Sequence, residues 1–244
     1  MTISNILDID MGNSRIKWRH TCGSDINYGA GDYNQSIKDV LAAITSRPER
    51  VRLSAVVDQD RQLQLLQACH DVWAVEPEVA VVQEECAGVK QGYSNRERLG
   101  VDRWLGLLAM YQQIGGGVLV SCGSAITVDV LDSDGTHQGG YIVPGLRLQR
   151  ESLFHQTHAV KVAADWCFDE LDPGRDTQVA VNKGLVVMIK GLVEHAVNIA
   201  TTKSGNRPKI LITGGDGETV RTFLDGETLY NPYLVFDGLA LALP

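Results

Sequence analysis

The chain has 244 residues, 44% hydrophobic and 21% charged, enough length and apolar material for one large soluble domain or two small ones. A formal net charge of −8 excludes a general binder of nucleic acid or of an acidic membrane, because such surfaces depend on a positive field. Cys22, Cys69, Cys86, Cys122 and Cys167 are scattered without any CxxC pair, which fits neither a disulfide framework nor a zinc site and points to a reducing cytoplasm.

No basic region followed by a long apolar one stands at the amino terminus, so no signal peptide is expected. Strand-like runs at 3–10, 14–20, 50–57 and 78–83 alternate with helical patterns near 36–46 and 59–73, which predicts a mixed α/β layer. In the opening "LDIDMGNSRIKWR", apolar Leu7, Ile9 and Met11 interleave with Asp8 and Asp10, giving a strand with both acids on one face. Gly12-Asn13 then turns the chain into a second strand. The polar stretch "QEECAGVKQGYSNRERLG" breaks the regular pattern and leads into "VDRWLGLLAMYQQI", an apolar-faced helix.

After Gly115-Gly116-Gly117 the pattern restarts. "VLVSCGSAITVDVL" at 118–131 repeats strand, glycine, small hydroxyl, strand, and aligns loosely with the opening, which predicts an internal duplication and a boundary near Gly115. A strand "GGYIVPG", a helix "LRLQRESLFHQTH", a long helix over about 177–201 and a strand "KILIT" running into "GGDGETV" follow. The apolar stretch at 184–197 is broken by Lys190, Glu194 and His195, so no membrane span is expected.

Three glycine segments carry the chemistry. Around Gly12-Asn13-Ser14, backbone N–H groups and a hydroxyl can point at phosphate oxygens while Lys17 supplies positive charge. Asp10 would repel phosphate unless a magnesium ion lay between them. Gly123-Ser124-Ala125 can offer a second set of donors, with Thr127 and Asp129 on one face of the next strand. Gly214-Gly215 can receive an adenosine at a helix start or be a plain strand-to-helix turn. In "GVDR", Asp102 is either a helix N-cap or a general base beside Arg103, and spacing leaves both open. His155 and His158 at helical spacing lack a third metal ligand nearby and are expected as a surface pair. Arg147 and Arg150 are expected on a solvated face, and the Trp and Met residues in the core.

"DMGNSRIK", "GYSNRERLGVDR", "GSAITVD", "GGYIVPG" and "DTQVAVNKG" occur in the order found in type III pantothenate kinases, and the chain resembles that family through most of its length. The resemblance implies an α/β protein of two actin-like (ribonuclease H-like) domains, 1–114 and 115–244, with ATP in the cleft between them. It implies transfer of the γ-phosphate to the 4′-hydroxyl of pantothenate, the first step towards coenzyme A, in a cytoplasmic homodimer whose sites are completed across the dimer interface. ATP contacts then fall on Asp10, Met11, Gly12, Asn13, Ser14, Arg15, Ile16, Lys17 and Ser124, with Asp10 at magnesium. Asp102 matches the family's proton acceptor, and Tyr93, Gly100, Val101, Asp102, Arg103 and Thr177 match the pantothenate contacts, Thr177 serving the partner's site. Thr177 could equally cap its helix. One position departs: Ser121 stands where the family often has an aspartate that binds potassium or ammonium, so dependence on that ion is in question. The other readings of the same cradle are another small-molecule kinase or phosphatase of the superfamily, or a nucleotide-binding regulator without catalysis.

Overall fold

The computed structural model describes residues 5–156 and 171–244, with side chains 154–156 outside the description. The pair His155 and His158, together with Cys167, therefore lies outside the described side chains. Two compact units divide the chain: Met1–Ala109 with Leu234–Pro244, and Met110–Tyr233.

In the first unit β1 (Asn5–Met11), β2 (Arg15–Cys22), β3 (Asp25–Asp32), β4 (Arg50–Ala55) and β5 (Glu78–Val79) form one sheet in the order β3-β2-β1-β4-β5. The first three strands pair antiparallel, and β4 and β5 add in parallel. Alternation decides the faces of β1. Leu7, Ile9 and Met11 join Ile16, Trp18, Val51 and Leu53 in a core covered by α1 (Ile37–Ala42) and α2 (Gln59–Trp73). Both helices start on the side-chain caps that their sequences offer, Ser36 accepting from Asp39 N and Asp58 from Arg61 N. Asp8 and Asp10 point to the opposite face.

β3 is not visible in the hydrophobic pattern, since it is mostly exposed and holds two glycines. The reason is a close approach: a Cβ on Gly29 would lie 2.2 Å from the Trp18 ring, so the indole needs a glycine beneath it. The polar stretch at 84–103 holds a two-stranded hairpin, β6 (Glu85–Cys86) with β7 (Val89–Lys90), and a short 3-10 turn at Arg96–Arg98 before α3 (Val101–Ile114).

In the second unit β8 (Gly117–Cys122), β9 (Ala125–Leu131), β10 (His137–Pro144), β11 (Ile210–Thr213) and β12 (Thr228–Tyr230) lie in the order β10-β9-β8-β11-β12. Strand order and directions repeat those of the first sheet, so the duplication seen in two short windows extends to a whole five-stranded topology. One face packs on α4 (Leu146–Gln156) and α5 (Thr177–Ser204); α6 (Gly217–Arg221) follows β11. By length and composition α5 could cross a membrane, but its Ile189, Val193, Ala196, Val197 and Ala200 are buried in this unit's core.

The closing helix α7 (Leu234–Ala242) packs on β1 and β4 and so belongs to the first unit, which differs from the expected division into 1–114 and 115–244. The physical reason is a buried charge network on the polar face of β1. Arg19 donates through Nε (3.0 Å) and Nη2 (2.8 Å) to Asp8 Oδ2, and Arg52 Nε donates to Asp8 Oδ1 (2.6 Å). The same arginines reach α7: Arg19 donates to Asp237 Oδ1 and to the Phe236 carbonyl, each at 2.7 Å, and Arg52 to the Leu243 carbonyl at 3.1 Å. Such a network is costly to break from one side, because the partners keep their charge without water. Asp8→Ala, which takes the shared buried carboxylate from both arginines, is expected to lower the unfolding free energy by about 3–5 kcal/mol, read from the shift of the urea midpoint.

Candidate active site

The polar face of β1 ends at Asp10, one residue before the turn. Gly12 N donates to Arg15 O at 3.1 Å, closing the turn, and leaves Asn13, Ser14 and Arg15 exposed at its tip. Met11 and Ile16, on the core face, are buried and anchor the two strands beneath it. Tyr33 donates its hydroxyl to the Gly12 carbonyl at 2.6 Å, fixing the turn from a segment 21 residues away.

Asp10 as a residue is half-buried, but its Oδ1 is sealed from solvent and accepts no hydrogen bond. Burial pushes its carboxyl from 3.8 up to about 6; Lys17, opposite it on β2, works against the rise, Asp102 adds to it, and Ser54, opposite it on β4, opposes it. An enclosed carboxylate oxygen that accepts no hydrogen bond, on a group whose burial outweighs Lys17, is a place that a divalent cation would satisfy.

Asp102 and Arg103 open α3. Trp104 N donates to Gly100 O, so Gly100 holds the cap position and Asp102 lies inside the first turn, where its charge also suits the helix dipole. The N-cap alternative for Asp102 is thereby set aside. A Cβ on Gly100 would stand 2.6 Å from Asp102 Oδ1, so the carboxylate folds back over that glycine. Arg103 is buried and donates from Nη1 to the Tyr93 hydroxyl at 2.7 Å, with its guanidinium 5.4 Å from the ring centroid. Asp10, Lys17, Asp102, Arg103 and Tyr93 all belong to the first unit.

The second unit repeats the turn with different polarity. Gly123 N donates to Ala125 O at 3.0 Å, and Ser124 is exposed at the tip. Two further backbone segments press on it. Gly145 N donates to Ser124 O at 2.9 Å, and Cβ atoms on Gly145 and Gly214 would each lie 2.3 Å from a carbonyl oxygen, of Gly123 and Cys122 respectively. Only glycines permit this backbone-walled hollow. Gly214-Gly215 thus stands beside the second turn, with Tyr230 donating to the Gly214 carbonyl at 3.0 Å.

Ser121 occupies the place in β8 that Asp10 occupies in β1, two residues before the glycine. It pairs in register with Thr127 on β9 and Thr213 on β11, a row of neutral hydroxyls. The nearest carboxylate along β9, Asp129, is fully buried and bound to His137 Nε2 at 2.8 Å, also fully buried. It is a structural pair. This donor set does not fit a site that holds a monovalent cation by charge.

Thr177 is exposed at the first position of α5, and the cap is its neighbour Asp176, which accepts from Val179 N at 2.9 Å. Arg147 lies exposed in a pair with Glu151 as expected, whereas Arg150 is half-buried. Trp18, Trp73, Trp104, Met11 and Met110 are buried, but Met188 is 61% exposed. Tyr33, Ser54 and Thr213 are the residues that motif reasoning missed. A parallel-strand register or a distant loop brought each of them in, and neither leaves a spacing in sequence.

Two sheets of one topology, each carrying a glycine turn after its first strand, define an actin-like fold. The chain belongs to the type III pantothenate kinase family, whose model matches residues 6–199. A type III pantothenate kinase of Pseudomonas aeruginosa is 36% identical over 246 residues, spanning 98% of this chain and 99% of that one. Among solved structures, a conserved Campylobacter jejuni protein assigned to the Baf family of transcriptional activators superposes with TM-score 0.64 at 22% identity, covering 96% of this chain and 95% of its own. A Sinorhizobium meliloti protein assigned as a 2-dehydro-3-deoxygalactonokinase gives 0.56 at 12%, covering 97% and 95%. These two share the fold.

The raised pKa of Asp10 fixes the sign of a pH effect. The fold favours the neutral carboxyl, so this contribution to stability is full below about 3.8 and is lost as pH rises through about 6, a loss of about 3 kcal/mol. Asp10→Asn is therefore expected to be more stable than the parent at pH 8 and equal to it below pH about 3.8, as checked by melting temperature across that range.

Proposed function

We propose that the protein transfers the γ-phosphoryl group of ATP to the 4′-hydroxyl of pantothenate, the first step towards coenzyme A. Family membership supports the reaction. The observation that supports the residue roles is electrostatic: Asp102 is among the charges that raise the carboxyl of Asp10, so the two carboxylates lie within electrostatic reach of each other in the first unit.

Phosphate oxygens take hydrogen bonds from the backbone N–H groups of Asn13 and Ser14 and from the Ser14 hydroxyl, Lys17 balances their charge, and Ser124 is the hydroxyl that matches the family's second phosphate turn. Met11 and Ile16 hold the first turn in place, and Arg15 flanks the phosphates. Asp10 fits a magnesium ion, which when bound would offset phosphate charge and withdraw electron density from the transferring group. Asp102 accepts the proton of the acceptor hydroxyl as it attacks. Arg103, held by Tyr93, binds the pantothenate carboxylate, while Gly100 and Val101 bring backbone against the acceptor. Positioning and charge account for most of such a rate.

Leu148 (50% exposed), Leu153 (38%), Val187 (50%) and Met188 (61%) are exposed apolar side chains on α4 and α5. Apolar exposure on these helices supports a homodimer in which Thr177, at the start of α5, serves the partner's acceptor site. Four described cysteines are free thiols, which supports a cytoplasmic setting. Ser121, Thr127 and Thr213 supply no charge, so turnover proceeds without a specific monovalent cation.

ADP release by the purified protein tests this reading: it is expected with pantothenate and absent with glucose, galactose or acetate. Rates in potassium, ammonium, sodium and choline salts are expected to agree within about twofold, the spread of ordinary ionic effects. Asp102→Asn is expected to keep ATP binding and lose about 10²–10⁴-fold in kcat, the range for a removed general base. Near-normal turnover in that variant removes Asp102 from the role.

A further inference from the structure

At one point α7 and α3 touch with no side chain between them. A Cβ on Gly238 would stand 2.1 Å from the Leu105 carbonyl oxygen, 2.6 Å from its carbonyl carbon and 2.8 Å from its Cα. Backbone meets backbone there, and Leu105 lies about one turn beyond Asp102 on the same helix. From the other side Arg19 holds Phe236 and Asp237, Arg52 holds Leu243, and both arginines close on Asp8. Arg50 adds a bond from Nη1 to the Pro244 carbonyl at 2.7 Å. The strand that carries Asp10 therefore lies between the two strands, β2 and β4, whose arginines fasten α7, and the middle of α7 bears on the helix that carries Asp102.

We propose that Gly238 is a positioning residue, and that α7 sets the place of the first turns of α3, with Asp102 and Arg103, relative to Asp10. The catalytic consequence rests on the reading of Asp102 as proton acceptor. A methyl group at 238 cannot be accommodated by rotating a side chain, because the obstacle is backbone. One helix must move away from the other. A displacement of about 1 Å at reacting groups costs up to about 10²-fold in rate. Helix propensity alone predicts the opposite sign, since Ala replaces Gly in a helix with a gain.

The test compares Gly238→Ala with Asp237→Ala, which frees one tie of α7 and leaves the arginines on Asp8. Gly191→Ala in α5 is the control, since a Cβ there meets nothing within 4 Å. Steady-state kinetics with ATP and pantothenate are read beside amide hydrogen exchange of peptides covering 100–108 and 118–130. Gly238→Ala is expected to lower kcat about tenfold or more, to raise the pantothenate KM about threefold or more, and to leave the ATP KM within about twofold. Exchange should quicken over 100–108 and stay unchanged over 118–130. Asp237→Ala should move the same quantities the same way by less, and it decides the matter if Gly238→Ala does not fold. Parent-like exchange over 100–108 overturns the proposal. So does a fall in kcat with both KM values and the exchange unchanged, which is the mark of a smaller active fraction. If the parent protein releases no ADP with pantothenate, the functional reading alone fails, and the exchange data still decide whether α7 holds α3.

Discussion

Two carboxylates share one face of β1, and most of what is particular to the first unit follows from how differently they are treated. Asp8 is neutralised by Arg19 and Arg52, with Oδ1 taken by one and Oδ2 by the other. Asp10, one pleat further along, has Lys17 opposite it but an Oδ1 with no hydrogen-bond donor. A buried carboxylate with two arginines is a structural fixture; an enclosed one left partly uncompensated is a group waiting for positive charge. The strand thus joins the stability of the unit to its chemistry over a spacing of two residues.

Asp8 also explains the course of the chain. The arginines that satisfy it have donors left over, and those donors are met by α7, from the far end of the sequence. A helix whose own first turn carries only Asp237 would have little reason to choose this sheet by propensity. Charge pairing and the small surface at Gly238 choose it. The consequence is that the end of the chain closes the unit in which the chain began.

The two sheets repeat one topology while their glycine turns have diverged in charge. Asp10 with Ser54 in the first becomes Ser121 with Thr213 in the second, each pair in the same parallel register. A carboxylate beside a glycine turn suits a cation, and a hydroxyl in the same place suits a neutral partner. The two turns therefore differ within their own units: the first has a carboxylate beside its glycine, and the second is walled by backbone at Gly145 and Gly214.

Sequence alone determined what depends on local order. The two-residue alternation of β1 placed both aspartates on one face, the restart after Gly115 exposed the repeat, and the apolar period of α3 put Asp102 and Arg103 at its beginning. It passed over β3, whose glycines lie under Trp18 for a reason visible only across strands, and α7, whose apolar residues gave no hint of which sheet they would cover. Tertiary structure decided that Asp129 belongs to His137, that Tyr33 holds Gly12, and that the last helix leans on the helix of Asp102. Each of these is a contact between residues whose meeting depends on strand pairing or helix docking, and pairing energies of that kind are written in three dimensions and not in the period of any single segment.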